Sequence, residues 1–196
     1  MIFNSFFEEY NINYYIEDLE HLNEDELLSI FLEIIEHVKY VILLSLLAFL
    51  ILFFWYWSIT IGLQKKIPVD IRINLTRFKI LFFIPVLYFG LFFGGIFYFF
   101  EKLPEIIDLI KTDNSVILED YFFSFIKFIP FFLLFHFFTI FCSLHTIYFT
   151  AKTIKLAMLK KEVKFGEFIG YFLLVWFNLI GLWVLQPEIN KMVDET

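Results

Sequence analysis

Four uninterrupted apolar stretches, residues 40–63, 79–100, 128–150 and 168–186, take up almost half of this chain. A helix rises about 1.5 Å per residue, so each stretch is long enough to cross a hydrocarbon layer about 30 Å thick. The pattern predicts an all-α, polytopic integral membrane protein. Its expected form is an antiparallel bundle of four transmembrane helices, residues 40–186, with an amphipathic helix ahead of it. Composition agrees: 60% apolar and 23% aromatic residues, with 31 Phe among 196 residues, exceed the usage of soluble domains. The first residues carry acids where a secretion leader carries bases, so the first span is expected to direct insertion.

The net charge of −7 is unevenly spread. Residues 1–39 form an acidic, aromatic-rich region with ten acids against Lys39 alone, and residues 187–196 form a short acidic tail. Bases gather in the connection between spans one and two (Lys65, Lys66, Arg72, Arg77, Lys79) and in that between spans three and four (Lys152, Lys155, Lys160, Lys161, Lys164). In a four-span protein these two connections share one side, and they hold ten of the fifteen basic residues. The excess of bases predicts that both connections are cytoplasmic and both termini outside. Compact loops suggest a bacterial inner membrane. Lys65, Lys66, Lys160 and Lys161 are placed to meet anionic lipid, which explains the bases without nucleic acid.

Short-range signals fill in the connections. Residues 2–21 mix aromatics and acids at helical spacing, as an interfacial helix or a loose arm would. Asn23 followed by Glu24, Asp25 and Glu26 predicts a helix start over 24–39, since Asn caps and acids favour the first turn. Trp55, Tyr56 and Trp57 fall near the end of span one, where such rings favour the headgroup boundary. Val69, Ile71, Ile73 and Leu75 alternate with polar residues, which predicts a strand, paired with residues 162–165 where Val163 and Phe165 also alternate. Pro104 is expected to open a short outer helix, with a turn over 112–115. Pro85 is expected to kink span two, and Pro187 to stop span four.

The span cores hold no Asp, Glu, Lys or Arg, which argues against an ion-coupled carrier. In span three His136, Thr139, Ser143, Thr146 and Thr150 step by three and four residues and share about an 80° arc. Such a stripe serves helix packing or lines a water path. His136 and Asn178 each lie eight residues from the outer end of their spans, so a hydrogen bond between them is expected at a shared depth. Gly90 and Gly94 on span two, and Gly166, Gly170 and Gly181 beside Asn178 on span four, are expected to let helix backbones approach closely.

Catalytic and ligand-binding patterns are sparse. Glu33, Glu36 and His37 lack the second histidine of a helical zinc site, and Asp18 with His21 lacks a matching pair. The lone Cys142 allows neither an intrachain disulfide nor a cysteine-based metal site and is expected to be a small buried hydrophobe. No catalytic, cofactor or metal residues are assigned. The leading expectation is a small non-enzymatic membrane protein, an assembly or accessory subunit acting through helix–helix contacts as a homo-oligomer or with a membrane-protein partner. The alternative is a homo-oligomeric channel lined by the span-three stripe, with a lipid-modifying enzyme behind it.

Overall fold

The computed structural model describes residues 23–111 and 115–194, and every regular element among them is helical. Helix α1 (Glu24–Gly62) has 39 residues, α2 (Leu75–Lys111) has 37 and α3 (Ser115–Leu159) has 45. Two shorter helices follow, α4 (Phe165–Trp176) with 12 residues and α5 (Asn178–Asp194) with 17. α1, α2 and α3 are each long and apolar enough to cross a membrane. A fourth crossing exists only if α4 and α5 count as one span, and they are bent by 119° about the break near Phe177. Against the four expected spans, the structure has three helices long and apolar enough to cross a membrane, or four if the bent pair is one span.

The long helices have little protein cover over their apolar faces. In their most apolar windows only 6%, 17% and 11% of residues are buried by the rest of the chain. Phe128, Phe131 and Leu134 on α3 are 70%, 74% and 71% exposed. Faces this bare are stable against lipid tails or another protein.

The chain divides into two compact units, Met1–Leu43 and Leu44–Thr196. In the first, the sequence signal for a helix start is realised in full: Asn23 Oδ1 accepts from the Glu26 N–H at 2.9 Å, while Glu26 Oε2 accepts from the Asn23 N–H at 3.0 Å. This reciprocal pair satisfies two donors that a helix start leaves orphaned. Farther along, Lys39 Nζ pairs with Glu36, and His37 Nδ1 lies 2.9 Å from the Glu33 carbonyl. The expectations for residues 2–21, including Asp18 and His21, and for the turn over 112–114 lie outside the described residues.

In the second unit the core gathers near the basic connections. Phe53, Ile59 and Leu63 of α1 and its following turn meet Phe78 and Phe82 of α2, Phe149 and Ile154 of α3, and Phe168 of α4. Rings interlock there, with Phe78 stacked on Phe149 at 5.0 Å and Trp57 against Phe82 at 5.0 Å. α2 packs on α3, α3 on α4 and α4 on α5.

Several local expectations are corrected. Residues 69–76 form no strand, because the segment is interrupted at both ends: Ile71 N–H closes a turn on the Pro68 carbonyl at 3.1 Å, and Asn74 Oδ1 caps α2 by accepting from Arg77 N–H at 2.9 Å. Val69 is fully exposed, but from Ile71 onward the alternation is a burial pattern. Ile71, Ile73 and Leu75 pack on the core while Arg72, Asn74 and Thr76 are exposed, and Val163 is buried in the same core. Pro104 starts no separate helix, since α2 runs through it to Lys111. Nor does Pro187 end a helix: α5 passes through it to Asp194, so most of the predicted tail is helical. Of the three rings near the end of span one, Tyr56 is only 2% exposed, and Trp55 and Trp57 are half-buried against the core. Lys160 ends α3 with φ of 52°, a left-handed position more often held by glycine.

Candidate functional site

An apolar bundle has few ways to fix the rotation of its helices, and here side-chain hydrogen bonds supply it. α1 and α3 meet through Thr60 and Thr150, both fully buried, whose hydroxyl oxygens are 2.9 Å apart. Thr150 donates its proton to the Thr146 carbonyl at 2.9 Å, so Thr60 must be the donor in the pair and Thr150 the acceptor. The rest of the stripe points its hydroxyls the same way. Thr139 donates to Phe135 O, Ser143 to Thr139 O and Thr146 to Cys142 O, at 2.9, 3.0 and 3.0 Å. Thr139 and Thr146 are buried and Ser143 half-buried; Thr153, one step further along, is buried too and extends the stripe beyond the predicted set. Cys142 is fully buried on the same helix.

His136 and Asn178 are not joined. Tyr88 of α2 takes His136, with its hydroxyl 2.8 Å from Nδ1. Asn178 opens α5 and accepts through Oδ1 from the Tyr56 hydroxyl of α1, which also lies 3.3 Å from the Val175 carbonyl near the end of α4. That carbonyl belongs to the last turn of α4, where the ladder stops and acceptors are left over. Tyr56 therefore ties α1 to both sides of the break. Trp55, the preceding residue, donates Nε1–H to Gln186 of α5 at 2.9 Å. α4 and α5 are linked by Tyr171, which donates to Glu188 at 3.1 Å and carries Lys155 of α3 over its ring at 4.7 Å. Tyr88, Thr60, Gln186, Tyr171 and Glu188 were not singled out from sequence, and Trp55 and Tyr56 were read there only as rings near a span end. A tyrosine or tryptophan within an apolar run is the available signal, since each brings one polar atom that must find a partner when buried.

The glycines separate into two groups. A Cβ at Gly181 would run into the backbone carbonyl of Leu174, so α5 comes against α4 as closely as it does because this residue has no side chain. Gly90, Gly94, Gly166 and Gly170 have open space where a Cβ would stand, and all four are exposed. Within one chain they bring no helices together.

The arrangement is a helical bundle with long apolar helices compatible with membrane spans, joined by isolated polar ties. Among the described residues no group of three or more His, Cys, Asp or Glu side chains converges on a point that could hold a metal ion. No protein-family model, curated protein or solved structure matches this chain.

Proposed function

We propose that this is a small non-enzymatic membrane subunit that acts by assembly, through helix–helix contacts with further copies of itself or with another membrane protein. One observation carries the reading. The hydroxyls of the span-three stripe are engaged by carbonyls of their own helix or by Thr60, while the apolar side chains around Phe131 and Leu134 face outward. Polar groups used this way hold a scaffold together and leave outward faces for lipid or partners. The setting proposed is a bacterial inner membrane, with the two basic connections in the cytoplasm and residues 1–39 outside. The exposed Gly90 and Gly94 are then candidates for contacts between chains rather than within one.

The test is the mass of the complex released gently from its own membrane. A fixed stoichiometry above one chain, or a constant co-purifying membrane protein, is expected. A homo-oligomer that by itself leaks ions or dye from liposomes would overturn the proposal in favour of the channel alternative, and a monomer with no partner would overturn it outright.

A further inference from the structure

A cleft of about 630 Å³ opens at the start of α2, between its capping residue Asn74, Thr76, Arg77, Ile80 and Leu81 of the helix and Phe141 of α3. Its two ends differ in chemistry. The polar end holds an exposed arginine whose guanidinium meets no carboxylate among the described residues. The other end begins one turn deeper, where Ile80 is 58% and Phe141 56% exposed. Arg77 stands at the junction between a basic connection, with Arg72 and Lys79 also exposed, and the apolar run of α2. His145, one turn along α3 from Phe141, lies within electrostatic range of Arg77, and its buried Nδ1 has no hydrogen-bond partner among the described residues.

We propose that this cleft seats one anionic phospholipid, with the phosphate at Arg77 and Thr76 and an acyl chain running along Ile80, Leu81 and Phe141. Charge and polarity match along the length of such a molecule. A planar guanidinium offers paired donors to phosphate oxygens, and the apolar wall begins at the level where acyl carbons begin. A soluble anion would use only the polar end, and a zwitterionic lipid would bring its own cation against Arg77. The site is distinct from the lysines at 65, 66, 160 and 161, which meet the leaflet as a diffuse field and not as a shaped cavity.

Retention of phosphatidylglycerol and of phosphatidylcholine on the purified chain, measured by native mass spectrometry, tests this. Preference for the anionic lipid is expected, and Arg77→Gln should weaken its retention about fivefold, the factor matching one basic residue at an anionic surface. Arg77→Lys, which keeps the charge but not the paired donors, should restore part of it, and Lys102→Gln, away from both basic connections, should leave it unchanged. Equal retention of the two lipids, no loss in Arg77→Gln, or an equal loss in Lys102→Gln would each overturn the site. Should Arg77→Gln fail to fold, Thr76→Cys in a Cys142→Ala background gives a local reading. An uncharged maleimide should label it several-fold more slowly in phosphatidylglycerol vesicles than in phosphatidylcholine vesicles, and equal rates would reject the proposal.

Discussion

Tyr56 donates its hydroxyl proton to Asn178 across the break between α4 and α5, and the same oxygen lies 3.3 Å from the Val175 carbonyl. One buried phenol thus holds both sides of the bend against α1. Because its one proton has a second acceptor within reach, the two halves of the contact differ in cost when removed.

Tyr56→Phe removes the donor that Asn178 and Val175 both have within reach, so it should lower stability in detergent by about 1–3 kcal/mol, the cost of leaving a buried polar group unpaired. Asn178→Leu should cost less, since the phenol keeps Val175 as a partner. The coupling from the double variant should fall near 0.6–1.7 kcal/mol, the range for hydrogen bonds between membrane helices. Thermal unfolding of the four proteins reads all three values. A larger loss in Asn178→Leu than in Tyr56→Phe would mean that the Val175 contact contributes nothing.

Gly181→Ala should be severely destabilising, because the added methyl meets the Leu174 backbone and not a side chain that can rotate away. Ala at Gly90, Gly94, Gly166 or Gly170 has room and should leave the monomer's stability unchanged or slightly raised. If any of these four lowers the mass of the extracted complex while the chain stays folded, that glycine lies at a contact between chains. Size-exclusion chromatography with light scattering separates the two effects.

The contrast among these glycines shows what a sequence of this kind reveals. The presence of three long apolar helices is written in the apolar runs, because that signal depends on composition and length alone, although α1, α2 and α3 run well beyond the predicted bounds. The start of α1 was equally legible, since the Asn23–Glu26 exchange is local. Partners were not. Matching His136 to Asn178 by depth assumed a straight fourth helix, and the 119° bend near Phe177 removes that assumption. With α4 and α5 bent, Asn178 comes to Tyr56 instead, and Tyr88 is left for His136. The bend itself left a trace in the sequence: a polar residue in mid-run, followed three residues later by the one glycine whose missing Cβ is required.

The bend also bears on where the chain ends. α4 has 12 residues and a length of about 18 Å, too short for a hydrocarbon core of about 30 Å. If α5 keeps its 119° turn in the bilayer, the pair enters and returns, and the C-terminus lies with the basic connections. Straightened into one span, the pair would put both termini on the same side, as charge counting alone suggests. Opposite sides are expected. Reporter fusions at the two ends, one type active only in the cytoplasm and one only outside it, distinguish the outcomes; matching signals would mean that α4 and α5 straighten on insertion.

The direction of the threonine relay makes the sharpest distinction between a packed stripe and a wet one. Thr60 donates to Thr150, and Thr150 donates to the Thr146 carbonyl. Thr150→Val removes the acceptor and leaves the buried Thr60 hydroxyl without one, at about 1–3 kcal/mol. Thr146→Val removes only a bond to its own helix, and Ser143→Leu adds apolar surface at a half-buried position, so each should cost less than about 1 kcal/mol. If water filled the stripe, Thr60 would find a new partner in any of these variants. The three would then behave alike, and each would alter permeability. The expected result is a stability order with Thr150→Val lowest in thermal unfolding, and no dye release from liposomes bearing the parent or any variant.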